Sequence, residues 1–283
     1  MLTRFAPAPT GWLHLGHVLN AEYVWGSGAR VLLRIEDHDR DRSRPEYEAG
    51  IYQDLEWLGY RPDIIAGRQS DRDDVYREAI EILRAQGLVY ACDCTRSEIG
   101  SGGAPAAARA ATHAGDDEAT PKPLRGGVGP YELRYSGRCR NRGLPLVDGY
   151  GWRVRTDPGV ERFIDERLGP QEQDPLRQCG DFLVRDRRGN WTYQFAVTVD
   201  DWRQEIDLVV RGVDLLPSTG RQIRLARLLG RERPPAFLHH PLIMKSPHQK
   251  LSKSDRDTGV RDLRARGWTR EQVRAAVQSG AQR

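Results

Sequence analysis

The chain has 283 residues, enough for one large domain or two small ones, with 38% hydrophobic and 30% charged. No apolar run reaches the roughly 18–20 residues of a membrane helix, and an N-terminus that enters a strand at Arg4 does not read as a secretory signal. A net charge of +4 permits a nucleic-acid partner without requiring one; a cytoplasmic protein with no membrane partner is expected.

In chain order, LTRFAPAP is a short apolar run closed by prolines and predicts a strand. Leu15, Val18, Leu19, Ala21, Tyr23 and Val24 then suit one helix, so His14 and His17 of TGWLHLGHVLNAEY fall on a strand-to-helix junction. RVLLRIED (30–37) has the pattern of a buried strand, and Pro45 opens a helix through Leu58 with Ile51, Leu55 and Leu58 on one face. Val75, Ala79, Ile82 and Leu83 mark a further helix ending near Gly87, and LVYAC is strand-like. This βαβα order predicts an α/β fold with a Rossmann-like parallel sheet.

Residues 100–129 are Gly-, Ala- and Pro-rich without periodicity and predict a disordered, mobile insertion. Residues 131–183 are Arg-rich with short strand candidates in WRVR and ERFID. WTYQFAVTVDDW (191–202) is apolar, DLVVRG (207–212) reads as a strand and 218–229 as a helix ended by Gly230; the tail after Asp255 is short and helical. The expected division is a first catalytic half at 1–88, an inserted subdomain at 89–184, a second catalytic half at 185–240 and a terminal segment at 241–283.

Three constellations carry chemistry. His14 and His17 admit three readings: packed core residues, a metal pair, or phosphate ligands at a helix N-terminus, where free N–H groups already favour anions. The metal reading lacks a third ligand nearby in sequence. The second is KLSKSD (250–255). Of 44 basic residues only Lys122, Lys245, Lys250 and Lys253 are lysines, so three ammonium groups within KSPHQKLSKSD suggest a need for compact, mobile cations, as a triphosphate has; the alternative is a solvated loop. The third is Cys92-x-Cys94 with Cys139 and Cys179, too few thiols to staple a chain of this size and more in keeping with metal binding or burial.

Taken together, TG-x-LHLGH near one end and KLSKS near the other resemble the signature sequences of class I aminoacyl-tRNA synthetases. RFAPAPTGWLHLGH, RIEDHD, QSDRDDVYREAIEILRAQGLVYACDC and YQFAVTVDD narrow the resemblance to the glutamyl branch, over roughly residues 3–99 and 130–260. Because 28 residues follow Asp255, the expectation is that no anticodon-binding domain is present, as in the truncated paralogues of that branch, the glutamyl-Q tRNA(Asp) synthetases. The resemblance implies that ATP, with Mg²⁺, activates L-glutamate, and that glutamate is then esterified to queuosine at the wobble position of tRNA(Asp), by a monomer.

Matched position by position, the resemblance implies that Arg4 and Arg211 take the two carboxylates of glutamate, Glu36 its ammonium, and Tyr193 a further hydrogen bond, with Ala8 in the same pocket. It gives His14, His17 and Lys253 to the phosphates of ATP, with Lys250 beside them in the catalytic loop. Glutamate is already an anionic nucleophile, so positioning and charge stabilisation suffice without a general base for activation. The resemblance also implies a zinc site of Cys92, Cys94, Tyr135 and Cys139, a set suited to tetrahedral zinc; Cys179 in place of Tyr135, or four plain thiols, are the alternatives.

Two departures stand out: Ala8 replaces the family's serine, and the stretch from His14 to Glu36 is about one helical turn shorter than in relatives. The competing functions are a glutamyl-tRNA synthetase core charging a tRNA 3′ end, a cysteine-dependent ligase, and an inactive RNA-binding paralogue. Arg4, Glu36 and Arg211 describe a diacid rather than a thiol substrate, and intact HLGH and KLSKS speak against loss of catalysis.

Overall fold

A computed structural model describes residues 1–100, 133–246, 249–250 and 259–281. The first part of the chain alternates: β1 (Leu2–Phe5), α1 (Leu15–Gly26), β2 (Arg30–Ile35), α2 (Pro45–Leu58), β3 (Ile64–Arg68), α3 (Asp73–Ala85) and β4 (Val89–Cys92). A middle part carries α4 (Arg96–Gly100), β5 (Gly151–Val154), β6 (Glu161–Asp165), β7 (Gly169–Gln173), α5 (Pro175–Gln178) and β8 (Phe182–Arg185). Then follow α6 (Tyr193–Arg203), β9 (Leu208–Gly212), α7 (Thr219–Leu228), β10 (Ala236–His240), β11 (Met244–Ser246), β12 (Gln249–Lys250), α8 (Val260–Ala265) and α9 (Arg270–Ala281). The expected insertion at 100–129 lies, apart from Gly100, outside the described residues.

Seven strands form one sheet in the order β3-β2-β1-β9-β10-β6-β7, parallel throughout except for the β6–β7 hairpin. Strand order reverses between β1 and β9, and such a switch point opens a crevice at the strands' C-terminal ends where α/β sheets bind ligands. β6 and β7 lie within the 89–184 stretch yet belong to this larger sheet. Phe237 of β10 pairs with Asp165 of β6, so 161–173 extends the catalytic sheet. That pairing joins residues far apart in sequence, which local pattern does not register. The smaller unit is the antiparallel sheet β4-β5-β8.

Side chains alternate faces along a strand, and this period explains the layers. Phe5, Val31, Leu33, Ile35, Leu208 and Val210 face one side, where α1, α2, α8 and α9 cover them with Val18, Leu19, Ile51, Leu55, Leu263, Val273 and Val277. The neighbouring positions Leu32, Val209 and Phe237 face the other side with Ile206 and Ile223. On that same side, by the same period, stand Arg4, Arg34, Glu36, Arg211 and His239, toward the strands' C-terminal ends.

Local chemistry sets the helix ends. α2 starts with Pro45 in its first turn, carries Glu46 and Glu48 against the positive end of the helix dipole, and stops at Gly59, whose φ of 82° is left-handed. α6 buries Phe195, Ala196, Val197 and Val199 and brings Asp200 and Asp201 under the sheet. A third core joins α3 and α6 to the small sheet through Tyr76, Ile80, Leu83, Val154, Val184 and Phe195.

Candidate active site at the sheet's switch point

His14 is the N-cap of α1, and His17 is its third helical residue. His14 Nδ1 accepts from Gly16 N–H at 3.0 Å, and His17 Nδ1 accepts from His14 N–H at 3.1 Å. Both accepting nitrogens are therefore unprotonated, which leaves an N–H donor on each Nε2 when the rings are neutral. The rings lie 4.0 Å apart at the helix N-terminus, a paired donor set suited to phosphate oxygens. Against this segment runs the far end of the chain: His14 bridges Gly259, and Val260 N–H donates to Leu13 O at 2.8 Å. Lys253 lies outside the described residues; Lys250 closes β12, whose backbone pairs with Met244 in β11. Gly259 and Val260, a few residues beyond the lysine segment in sequence, thus lie against the start of the histidine helix.

Deeper in, Arg4 and Arg34 share one carboxylate. Arg4 Nε donates to Asp201 at 3.1 Å, and Arg34 Nη2 donates to the same group at 2.8 Å. Arg34 also donates to Gln204 at 2.7 Å and to Glu36 at 3.3 Å, and stands 3.8 Å from Asp200. Burial alone would raise the Asp201 carboxyl, but Arg4 and Arg34 outweigh it and hold it below the usual range. Glu36 goes the other way: burial raises it, and Arg34 offsets this in part. Arg4 spends Nη1 on Val210 O at 3.0 Å, which leaves Nη2 without a partner among the described residues.

Arg211 is as buried as Arg4, yet its neighbours are neutral. Its Nε donates to His239 Nε2 at 3.0 Å, Nη1 to Gln222 Oε1 at 2.6 Å and Nη2 to Thr219 Oγ1 at 2.8 Å. No carboxylate among the described residues pairs with it. Burial, reinforced by Arg4, pushes Arg211 down to about 10. His239 accepts at Nε2, so its proton sits on Nδ1, which donates to Asp165 at 2.6 Å. Burial and the facing Arg211 push His239 down to about 4, so the imidazole stays neutral across the physiological range. Asp165 therefore steadies Arg211 through a neutral ring rather than neutralising it. Tyr193, pushed up to about 12 by burial and by Glu36, is near enough to Glu36, Arg211 and Arg4 to feel the charge of each. Arg4, Glu36, Tyr193 and Arg211 thus come together. Ala8 lies in the segment leaving β1, where its carbonyl accepts from Thr10 N–H at 2.8 Å and neighbouring Pro7 O accepts from Glu36 N–H at 3.1 Å.

The cysteines separate into two groups. Cys92, Cys94 and Cys139 place their sulfurs within 4.8 Å of one another. The Tyr135 hydroxyl lies 3.5 Å from Cys92 Sγ and accepts from Cys139 N–H at 2.8 Å. Zinc–sulfur bonds of about 2.3 Å in a tetrahedron give sulfur–sulfur edges of roughly 3.8 Å, so this donor set fits such an ion. The charge of thiolates would be met by Arg142, 3.5 Å from Cys139 Sγ, and by Arg153 over the Tyr135 ring at 3.7 Å. Cys179 bonds Pro175 O at 3.2 Å and packs in the α3–α6 core, apart from the other three.

The family model described as tRNA synthetases class I (E and Q), catalytic domain, matches residues 1–117 and 162–280. The chain belongs to this family. A glutamyl-Q tRNA(Asp) synthetase of Rhodobacter capsulatus is 35% identical to this class I synthetase, covering 98% of the chain and 99% of the relative. One from Bordetella bronchiseptica is 43% identical over 89% of the chain and 74% of the relative. Among solved structures, a glutamate tRNA ligase from Elizabethkingia meningosepticum, in complex with its amino acid, superposes with a TM-score of 0.70 at 28% identity. The class I synthetase described here aligns over 95% of its own length and spans about half of that ligase, 53%.

Several residues of this class I synthetase's pocket escaped the sequence reading. Asp201 was visible only as part of YQFAVTVDD, and Asp165, Thr219, Gln222 and His239 carried no signal of their own. Arg34 and Glu36 are different, since alternation along VLLRIE puts them on one face with Leu32.

Proposed function

We propose that this protein activates L-glutamate with ATP to glutamyl-adenylate and transfers the glutamyl group to queuosine in tRNA(Asp). The observation that carries this reading is Arg211: a buried guanidinium with neutral partners and no carboxylate paired to it among the described residues. Such a group is costly to bury unless an anion arrives, and a dicarboxylic amino acid supplies one. Arg211 takes one glutamate carboxylate, Nη2 of Arg4 the other, Glu36 the ammonium and Tyr193 a further hydrogen bond.

In activation, a glutamate carboxylate oxygen attacks the α-phosphorus of Mg²⁺-bound ATP and pyrophosphate leaves. His14 and His17 donate from Nε2 to the phosphate oxygens as charge builds, and Lys253 with Lys250 supplies cationic ammonium groups to them. Cys92, Cys94, Cys139 and Tyr135 would hold a zinc ion that braces the small sheet rather than entering the chemistry. The relatives' names support queuosine in tRNA(Asp) as the acceptor over a tRNA 3′ end.

The test is glutamate-dependent ATP–pyrophosphate exchange without tRNA, followed by charging of tRNA(Asp) with and without queuosine and of tRNA(Glu). Exchange without tRNA, with charging confined to the queuosine-bearing tRNA, is the expected result. Charging of tRNA(Glu), or exchange that needs it, would overturn the reading.

A further inference from the structure

Beside the glutamate pocket, a cleft of about 270 Å³ separates the catalytic sheet from the small sheet, with His38, Arg40, Asn190 and Trp191 in its lining. It adjoins the pocket through His38 itself, whose ring centre lies 5.8 Å from that of Tyr193. None of the roles described so far uses His38.

Its protonation geometry is set from behind. Asp200 is buried and accepts from Arg72 at 2.8 Å, from the Tyr76 hydroxyl at 2.9 Å and from Gln69 Nε2 at 2.8 Å. With its amide nitrogen donating there, Gln69 must present its oxygen to His38, and Oε1 lies 2.8 Å from His38 Nδ1. Nδ1 is thus the donor, and the lone pair of the neutral ring is on Nε2. Among the described residues Nε2 has no hydrogen-bond partner. A carboxylate, an amide and an imidazole in series leave one basic nitrogen in a cleft beside the amino-acid site.

We propose that His38 Nε2 is the proton acceptor of the transfer step. This rests on the glutamyl-transfer reading above. The acceptor hydroxyl of a nucleoside in the cleft forms a C–O bond to the glutamyl carbonyl carbon. The bond from that carbon to the phosphate oxygen breaks, its electron pair leaves with AMP, and the hydroxyl proton passes to Nε2 and then to solvent. Activation attacks with a carboxylate and has no such proton to lose. The base therefore serves one half-reaction.

The test mixes enzyme carrying preformed glutamyl-adenylate with queuosine-bearing tRNA(Asp) and times a single turnover, in parallel with ATP–pyrophosphate exchange. His38→Ala is expected to slow transfer about 100-fold, at the low end of the 10²–10⁴ range of general-base catalysis, and exchange far less. Free imidazole, admitted to the space the variant leaves, should restore part of the transfer rate. Parallel loss of both half-reactions, unchanged transfer, or no response to imidazole would overturn the assignment. If the wild-type enzyme itself fails to charge the queuosine-bearing tRNA, the functional reading falls instead.

Discussion

Two sides of one pocket bury arginines to the same depth and treat them in opposite ways. On the β1–β2 side, Arg4 and Arg34 meet Asp201, with Glu36 and Asp200 near Arg34, and charge is balanced within the protein. On the β9–β10 side, Arg211 meets an imidazole, an amide and a hydroxyl, and charge is left for a ligand. The first side is a scaffold already balanced before substrate arrives, from which Arg4 Nη2 and Glu36 still reach it. The second is a binding surface whose balance is completed by substrate. Burial alone does not distinguish them; the partners do.

The contrast can be broken from the scaffold side first. Asp201→Ala leaves two buried guanidiniums short of a carboxylate, and losing one partner of a buried pair costs about 3–5 kcal/mol. Chemical denaturation should show a loss of that order; a loss below about 1 kcal/mol would mean that Arg34 finds compensation in Glu36 and Asp200. Arg211→Ala tests the other side. Losing a charge-assisted contact to a buried carboxylate costs about 2–5 kcal/mol, so kcat/KM for glutamate in pyrophosphate exchange should fall roughly 30- to 1000-fold or more. The same variant should unfold no earlier than the wild type, because it removes an unbalanced charge. Normal exchange would take Arg211 out of the pocket.

A smaller effect sharpens the comparison at a third site. Asp54 in α2 is buried, its Oδ2 has no hydrogen-bond partner among the described residues, and burial pushes it up to about 6 despite Arg264 and Arg261 in α8. The folded state therefore holds this proton more tightly than the unfolded chain, whose aspartates titrate near ~3.9. Its contribution is fully present below about pH 4 and is lost as pH rises through about 6, a change of roughly 3 kcal/mol. Asp54→Asn should raise the melting temperature at pH 7–8 and flatten its pH dependence between 4 and 6. A profile unchanged from wild type would show that Arg261 and Arg264 already neutralise the carboxylate.

Elements built from local rules were legible. α2 runs from Pro45 to Leu58 because its proline, its apolar spacing and Gly59 lie within a few residues of where they act. β3 and β7 were not, since IIAGR and GPQEQ carry little apolar pattern and owe their form to partners elsewhere in the sheet. The site divides in the same way. His14 and His17 stood out because the junction that places them is local, while the tautomers that make them donors follow from two backbone hydrogen bonds. Asp165, His239 and Arg211 form a chain across β6, β10 and β9, and no stretch of sequence contains it.

The bridge between His14 and Gly259 also bears on the order in which the protein is made. The two partners are separated by almost the whole chain, so the contact cannot form until the ribosome has released residues beyond 259. The amino-acid pocket draws on residues up to 240 and can be laid down earlier. A growing chain would therefore acquire the means to hold glutamate before it acquires the contact that ties Gly259 to the histidine helix.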